Sequence, residues 1–504
     1  MGNDGQPELV EKYDPATATR PLAEIVFDAL ARRPDAPIDP AEFCDWVATS
    51  EPDTPSGISR FVVEVWRRRV DLNDSFPGLF LDPATPARLQ LWAHHFLVAE
   101  TGAPQWLRPP APYGITDVAE PTHCVTPSKL LAGTTLVGYL RAALGLGDAA
   151  RRMVSLLEQA GERVRAIAYD HIDAPISVSW PNRKDSDTDE LDVVVLAVNG
   201  AEVHRARRAL GAQALDGRYV IGLWFWELEE LSADMAAGFD SVDEVWVTSA
   251  FTAHAVRRAA PDRVAVHIVP LGADETTLHR DPHARSRFGI DAKAVVVGTV
   301  FDHASRIERK NPIGLIEAWQ LAFPISDPSA RVLFVKSMKG AMFPDAHASV
   351  VAAAAGRRDI MVHDVFLPSD ERDSLVAEFD VVASLHRSEG YGLTLLGAMH
   401  RGTPVIASAY SGNLAFMTPE TTWLVPVTQS VLAADAGPYP AGGVWAEPDL
   451  GVAASMLREV VDGLDSPGVG ARITRARESV RSLMDGTTGA LFVRQRLAEI
   501  RAQR

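Results

Sequence analysis

The residues with the clearest chemical potential surround Glu389. An apolar run ends at Leu385, the turn Gly390-Tyr391-Gly392 follows Glu389, and a helical pattern begins at Leu393. Such a turn directs the free N–H groups at the start of a helix toward a ligand above a sheet, where they favour phosphate. Two glycines also cost backbone entropy, which argues against a turn that serves only solubility. A carboxylate beside these N–H groups suits a phosphorylated sugar.

A basic stretch lies between another predicted strand and helix. Arg306, Arg309 and Lys310 follow the apolar run 295–300 and precede the helical pattern 313–322. Cations near a helix N-terminus can bind a diphosphate through charge-assisted hydrogen bonds. The alternative is a solvated loop, because charge density alone is common on protein surfaces.

Two glycines, Gly145 and Gly147, follow an earlier predicted strand and open a helix over 148–161. Glycines let the backbone approach a ligand closely, and Asp148 can cap the helix. The full Gly-x-Gly-x-x-Gly spacing is absent, since Ala150 occupies its third position, so a dinucleotide site is only weakly indicated. A plain tight turn is the alternative.

Two tryptophans and a carboxylate, Trp224, Trp226 and Glu227, follow the predicted strand 219–223. Aromatic rings stack on the apolar face of a sugar while acidic groups bind its hydroxyls. The alternative is that both tryptophans belong to the core and the glutamate begins a solvated helix.

These candidates share a position at the ends of predicted strands. Short apolar runs alternate with helical patterns, which predicts right-handed βαβ units and parallel sheets covered on both faces. Two sets of runs predict two doubly wound domains, with ligands bound in the cleft at the carboxyl ends of the strands. The first set is 134–140, 164–168, 193–198, 219–223, 244–247 and 266–269, and the second is 295–300, 332–336, 361–365, 381–385, 405–408 and 424–427.

The same patterns divide the chain into six segments. Residues 1–20 are predicted to be flexible, 21–110 to form a small, mostly helical N-terminal domain, and 111–130 to form a proline-rich linker. Residues 131–283 and 284–450 hold the two strand sets, and 451–504 show only helical periodicity.

Composition excludes several functional classes. The chain has 504 residues, 47% of them hydrophobic and 23% charged, which indicates a globular protein with more than one core. A formal net charge of −17 argues against bulk binding to nucleic acid or to an anionic membrane. No apolar run is long enough to cross a bilayer, and we expect no signal peptide. The cysteines, Cys44 and Cys124, form neither a metal pattern nor a disulfide framework, which favours a reducing cytoplasm.

Taken together, the motifs resemble those of the family 4 glycosyltransferases of GT-B fold. The resemblance spans about residues 130–460 and leaves the N-terminal domain outside it. The similar segments are Ser388-Glu-Gly-Tyr-Gly-Leu, Ala398-Met, Gly402-Thr-Pro-Val-Ile-Ala-Ser408, Gly412-Asn413, Pro270-Leu-Gly-Ala-Asp274, Thr248-Ser-Ala-Phe-Thr252 and Arg309-Lys310-Asn-Pro.

The resemblance implies an α/β protein in which two Rossmann-like domains face a cleft. It also implies retaining transfer of a sugar from a nucleotide diphosphate, without a metal or other cofactor. Glu389 would contact the transferred sugar, and the N–H groups of residues 390–393 would approach its hydroxyls and phosphate. Lys310, with Arg309 or Arg306, would balance the charge that grows on the diphosphate.

The remaining roles are also carried over from the resemblance. Gly145 and Gly147 would line the donor from the first Rossmann-like domain. The nucleobase would lie near Phe366 and Leu367. The acceptor would bind in the first Rossmann-like domain, where the residue types of the tryptophan segment 224–227 already suit a sugar.

The sequence departs from the family pattern in two places. Members usually carry a second glutamate eight residues after the first, which reaches the donor ribose, and Gly397 occupies that position. The arginine that commonly follows a glycine after the first strand of the donor domain is replaced by Thr299, after Gly298. Both differences bear on which donor is bound.

We therefore predict a glycosyltransferase that uses a nucleotide-diphosphate sugar and a glycan, glycolipid or small-molecule acceptor, without nucleic acid as a partner. The alternative is a weakened or inactive GT-B module that binds a nucleotide sugar or a partner transferase as a scaffold or regulator. An epimerase or a phosphorylase on the same fold is a third reading, and no sequence feature demands it. The predicted location is the cytoplasm, with peripheral contact at the inner face of a membrane left open, as is the oligomeric state.

Overall fold

The structure, a computed structural model, describes residues 130–169, 190–210, 212–272 and 283–504, together with residues 178 and 180 and short stretches between Leu22 and Leu107. It divides into two compact units, Met1–Pro127 and Ser128–Arg504. The predicted flexible segment 1–20 lies outside the described residues, as does the predicted linker 111–130 apart from Leu130. The predicted domain boundaries remain predictions.

The first unit is helical where it is described. Its helices are α1 (Leu22–Ala31), α2 (Pro40–Ala48) and α3 (Arg60–Arg68). Phe27 of α1 and Phe61 of α3 pack with ring centroids 5.1 Å apart. Arg67 and Arg68 form ion pairs with Glu64 one turn earlier, at 3.4 and 2.9 Å. These arginines therefore stabilise their own helix.

The second unit begins with a six-stranded parallel sheet in the order β2-β1-β3-β4-β5-β6. Alternate residues of one strand enter different cores, Val193 and Val195 on one face and Val194 and Leu196 on the other, so both faces are covered. The strands are β1 (Leu131–Gly138), β2 (Val164–Ala168), β3 (Leu191–Ala197), β4 (Tyr219–Leu223), β5 (Glu244–Val247) and β6 (Ala265–Ile268), and the helices are α4 (Gly145–Gln159), α5 (Gly200–Leu210), α6 (Ala233–Ala236) and α7 (Ala250–Ala259).

A second six-stranded parallel sheet follows, in the order β12-β11-β10-β7-β8-β9. Its strands are β7 (Val295–Val300), β8 (Arg331–Ser337), β9 (Ile360–Asp364), β10 (Val381–Ser384), β11 (Val405–Ser408) and β12 (Trp423–Val425). Its helices are α8 (Ala284–Arg287), α9 (Ile307–Lys310), α10 (Pro312–Ala322), α11 (Pro344–Ala353), α12 (Ser369–Ala377) and α13 (Leu393–Arg401). One hydrophobic cluster contains residues of both sheets, so the two halves share a core.

The chain ends in an antiparallel pair and a group of helices. The pair is β13 (Val427–Val431) with β14 (Val444–Pro448), and the helices are α14 (Leu450–Asp462), α15 (Pro467–Ser479), α16 (Arg481–Met484) and α17 (Thr487–Gln503). Helix α14 packs against α10 beside the second sheet. Helix α17 instead returns to the first sheet, where Arg496 binds Glu244 at 2.7 Å and Arg501 binds Glu162 at 2.8 Å.

Every strand of the two predicted sets is present, with ends that differ by a few residues at most. The prediction of two doubly wound, parallel-stranded halves is confirmed. The regularity of the pattern explains this agreement, because strands buried on both faces read as continuous apolar runs.

Candidate active site

A cavity of about 980 Å³ lies between the two halves, at the carboxyl ends of their strands. This volume is within the usual range for small-molecule sites. The first half contributes lining residues that include Gly145, Trp226 and Glu227, and the second half contributes Lys310 and Glu389. Most of the residues singled out by sequence are thus brought together at one place.

The segment 388–392, which we call the acidic turn, follows β10 and is fixed by the chain just after β11. The Glu389 N–H donates to Ser411 Oγ at 2.7 Å, and the Gly412 N–H donates to the Glu389 carbonyl at 2.7 Å. A Cβ added at Gly412 would lie 2.0 Å from the Gly390 carbonyl oxygen, so only glycine allows this approach. Gly392 has φ of 98°, which favours glycine as well. The later Ser-Gly-Asn motif therefore positions Glu389.

A buried histidine supports the same turn from below. His386 lies 3.2 Å from Asn413 Oδ1 and 3.0 Å from Ser384 Oγ through its two ring nitrogens. Burial lowers the pKa of His386 to about 4, so its ring is neutral at physiological pH. His386 does not line the cavity, and we assign it a structural role.

The first half also binds the acidic turn directly. Ser249 Oγ donates to the Gly390 carbonyl at 3.0 Å, and the Ser388 hydroxyl donates to the Glu227 carbonyl. The Tyr391 hydroxyl donates to the Leu271 carbonyl at 2.8 Å, and its ring is buried. Any ligand contact by Tyr391 must therefore be made through its backbone.

Glu389 forms the centre of a charged cluster with the basic stretch. Its carboxylate lies 2.5 Å from Lys310 Nζ and 3.6 Å from Arg309 Nη1. Burial alone would raise the pKa of Glu389, but the charges of Lys310 and Arg309 outweigh it and bring the pKa to about 2. Glu389 is therefore charged at physiological pH and is a weak base.

Arg309 joins this cluster to the first half. Its side chain is 4% exposed, donates to the Ser388 carbonyl at 3.0 Å, and lies 4.0 Å from Glu227 Oε1. Glu227 also accepts a hydrogen bond of 3.1 Å from the Tyr439 hydroxyl. The charged side chains of four lining residues thus lie together with the Tyr439 phenol in the cavity wall. These four are Glu227, Arg309, Lys310 and Glu389.

The start of α13 forms the wall beside Glu389. Its N-cap is Gly392, which supplies no side-chain acceptor to the first turn of the helix. Residues 390–395 line the cavity. The N–H groups at this end, with the positive end of the helix dipole, suit a bound anion.

One turn into the same helix, Gly397 also lines the cavity. A Cβ added there would lie 3.1 Å from Nη1 of Arg401, which is a lining residue too. The space beside position 397 is thus shared with a guanidinium rather than open.

The structure separates the three basic residues of the predicted diphosphate site. Arg309 and Lys310 line the cavity, whereas Arg306 is absent from its lining. Arg306 has φ of 66° and places its guanidinium 5.3 Å from the Phe343 ring centroid. Of the two arginines left open by the sequence, Arg309 is the one beside Glu389.

The two glycines after β1 also differ. Gly145 lines the cavity, but a Cβ at Gly147 would lie 2.3 Å from the Ala142 carbonyl oxygen, so Gly147 is required by the turn itself. Asp148 does not cap α4 as its position suggested. Its carboxylate binds Arg151 and lies 3.3 Å from Arg372 of the second half.

The two tryptophans of the segment 224–227 also differ in their relation to the cavity. Trp224 is fully buried against Phe239, with ring centroids 5.0 Å apart, and is absent from the cavity lining. A covered ring presents no face to a sugar, so the expected stacking on Trp224 does not occur in this conformation. Trp226 lines the cavity, but it is 3% exposed, and its Nε1 donates to the Glu230 carbonyl at 2.8 Å.

Near the predicted nucleobase position, Leu367 lines the cavity. Phe366 is 40% exposed and does not line it. The assignment of the nucleobase to this region remains a prediction.

Tyr439 and Lys336 are among the lining residues that sequence reasoning missed. Tyr439 follows the predicted strands and has no local motif, so only the folded chain shows that it contacts Glu227. Lys336 ends the otherwise apolar run 332–336, and a charged residue in that place is a usable signal. It is 3% exposed, and burial lowers its pKa to about 8. Lys336 lines the cavity together with Lys310 and Lys339.

No helix among the described residues is both long and apolar enough to cross a bilayer.

Comparison with known proteins supports the fold. Residues 303–436 match the family model described as glycosyl transferases group 1. None of the curated proteins compared with the sequence matches it. Among solved structures, sucrose-phosphate synthase from Thermosynechococcus elongatus is 17% identical with a TM-score of 0.53, over 74% of this chain and 100% of that one. A glycosyltransferase from Rickettsia africae ESF-5 is 13% identical with a TM-score of 0.51, over 73% and 99% of the respective chains. The chain therefore has the GT-B fold, and its second half carries a segment that matches the glycosyl transferases group 1.

Proposed function

We propose that the protein is a glycosyltransferase that moves a sugar from a nucleotide diphosphate to a hydroxyl of a glycan, glycolipid or small-molecule acceptor. The observation that carries this proposal is the placement of Glu389, Lys310 and the uncapped start of α13 on one cavity wall. The segment that matches the glycosyl transferases group 1 contains all three. The GT-B fold supports the proposal but does not by itself define an activity.

A diphosphate donor would change the pairing within the cluster. The N–H groups of α13 and the cations Arg309 and Lys310 can stabilise the phosphates. As Lys310 turns toward phosphate, Glu389 is left to accept hydrogen bonds from hydroxyls of the sugar. The cluster thus holds Glu389 in its charged form until a donor is bound.

The same charges support retention and independence from a catalytic metal, as the family resemblance implies. Arg309 and Lys310 can balance the charge that develops on the departing diphosphate, which is the role a divalent cation takes in other transferases. Glu389, with a pKa of about 2, is a poor general base for the acceptor. The departing phosphate can itself direct the acceptor hydroxyl to the face that it leaves.

The acceptor would approach from the first half of the cavity. Trp226 and Glu227 line that side, and Glu227 reaches Arg309 and Tyr439. We propose cytoplasmic action, and peripheral contact with a membrane that carries a glycolipid acceptor is an extension of this proposal.

A second candidate is a GT-B module that binds a nucleotide sugar, or a partner transferase, without turnover. Gly397 favours it, because glycine supplies no acceptor for a ribose and Arg401 lies beside it. Such a module would keep donor binding and lose sugar release.

The two candidates are separated by assaying the full chain with UDP-, GDP- and dTDP-sugars. We expect slow release of nucleotide from one donor and faster release with a suitable acceptor. Lys310→Ala should lower this rate at least about tenfold, because it removes a charge-assisted hydrogen bond to phosphate. Lys293→Ala, which removes an exposed lysine elsewhere in the same half, is the matched control. Binding of a nucleotide sugar without release across varied acceptors would favour the module.

A further inference from the structure

Two histidines and an aspartate meet outside the charged cluster of the cavity. His303 follows β7, His347 lies on α11, and Asp364 ends β9. One ligand atom from each lies within 4.8 Å of the other two. The three residues come from separate elements, so the fold rather than a local motif brings them together.

His303 is the unexplained member of this group. It is 1% exposed, and neither of its ring nitrogens has a hydrogen-bond partner within the described part of the chain. His347 Nδ1 is buried and unpartnered as well. A buried imidazole normally bonds through at least one nitrogen, because leaving both unmet forfeits the bonds that water would provide. The unpartnered ring nitrogens of His303 and His347 are thus available to bind one common ligand.

The surroundings prepare Asp364 to be a ligand. Its Oδ1 accepts a hydrogen bond from Ser337 Oγ at 2.8 Å, and its Oδ2 accepts one from the Gly340 N–H at 2.8 Å. Such outer contacts fix the orientation of metal-binding carboxylates. A Cβ at Gly340 would lie 2.5 Å from Asp364 Oδ2 and 2.9 Å from His347 Cγ. The glycine thus leaves the space in which the two side chains approach each other.

We infer that His303, His347 and Asp364 bind a divalent transition metal, with zinc as the preferred ion. Two imidazoles and a carboxylate form a ligand set that zinc favours, and a water molecule would complete a tetrahedron. Bonds of about 2.0–2.2 Å require the three ligand atoms to draw together by about 1 Å. Rotation of the partly exposed His347 side chain can supply most of that movement, because His303 Nε2 and Asp364 Oδ1 are already 3.9 Å apart.

The position of the site indicates a structural or regulatory ion. His303 is not part of the cavity lining, but its neighbours Asp302 and Ala304 are. Asp302 forms an ion pair of 3.0 Å with Lys339, another lining residue. A bound ion would join the loop after β7 to α11 and β9 and fix this wall of the cavity. The ion would not contact the charged cluster around Glu389. This proposal is therefore compatible with sugar transfer that needs no catalytic metal.

The experiment uses the full chain after removal of any affinity tag and dialysis against a chelator. Titration calorimetry with zinc chloride should show one site per chain, and cobalt(II) should give the visible absorption bands of a tetrahedral site. Zinc should also raise the melting temperature, since an ion that binds only the native state stabilises it. These readouts are independent of glycosyl transfer.

Variants test the assignment of the ligands. His347→Ala and Asp364→Asn should each lower the zinc affinity at least tenfold and remove the cobalt bands. His254→Ala, at an exposed histidine on α7, is the matched control and should bind like the wild type. Absence of stoichiometric zinc binding, or equal binding by His347→Ala and His254→Ala, would overturn the proposal. Because His347 is only partly buried, its replacement is expected to leave the fold intact even if His303 variants do not fold.

Discussion

Replacing Glu389 by glutamine removes one charge from the acidic turn and keeps the shape of the side chain. In the wild type, Lys310 and Arg309 outweigh the effect of burial and lower the pKa of Glu389 from 4.5 to about 2. At 1.36 kcal/mol for each pKa unit, the site favours the charged carboxylate by about 3 kcal/mol. Glutamine loses this interaction and leaves Lys310 without its counter-charge, whereas Arg309 keeps Glu227 at 4.0 Å.

The expected result is a split between binding and turnover. Donor turnover should fall by about 10- to 100-fold, because a hydrogen bond from a sugar hydroxyl to a charged carboxylate contributes about 1.5–3 kcal/mol and each 1.36 kcal/mol is a factor of ten. Affinity for the nucleoside diphosphate alone should stay the same or rise, since Lys310 no longer has Glu389 as its partner. Nucleotide release measures the first quantity and titration calorimetry the second. Glu308→Gln, at an exposed glutamate on α9, is the matched control.

The pH dependence of the unfolding free energy provides an independent test of the charge on Glu389. Because the folded-state pKa is lowered, the stabilising contribution of Glu389 is complete above pH 4.5 and is lost as the pH falls toward about 2. The difference in unfolding free energy between wild type and Glu389→Gln should shrink over that window.

Turnover within threefold of the wild type would refute the role of Glu389. Loss of nucleotide binding together with turnover would instead show that the variant had disrupted the site.

Two further substitutions test how the cavity is held. Arg496→Met on α17 leaves the fully buried Glu244 without its main partner and should lower the unfolding free energy by about 3–5 kcal/mol in denaturant titrations. Arg494→Met on the same helix loses only bonds to backbone carbonyls, and an equal effect from both would contradict this account. Gly412→Ala forces a Cβ against the acidic turn and should cost about 1–3 kcal/mol, with most of the donor turnover lost. Gly470→Ala meets no atom within 4 Å on α15 and should be neutral or slightly stabilising, so comparable losses in both alanine variants would count against the close-approach argument.

The architecture of the second unit could be predicted because parallel strands that are buried on both faces appear in the sequence as short apolar runs. The run 193–198 is apolar throughout, the run 381–385 is interrupted only by Ser384, and helical patterns separate such runs. The sequence also marked the acidic turn, since glycines between a strand and a helix are informative about backbone geometry. In the structure this turn and the basic stretch meet, with Glu389 and Lys310 in contact.

What the sequence could not distinguish is the direction in which each side chain points. Trp224 and Trp226 have the same type and similar neighbours, yet only Trp226 lines the cavity. Arg306 and Arg309 lie within one turn of each other, and the backbone at Arg306, with φ of 66°, sends its guanidinium to Phe343. Such outcomes depend on packing with distant residues, which no local pattern records.

The course of α17 affects how the two halves could be exchanged between proteins of this fold. The helix lies at the end of the sequence but is anchored on the first sheet, through Arg496 to Glu244 and Arg501 to Glu162 and Asp192. A chimera with a single crossover between the sheets would therefore pair a foreign last helix with this protein's first half. A hybrid that takes its second half from another protein of this fold needs two crossovers, the second placed before residue 487, so that the native α17 returns to its own partner surface.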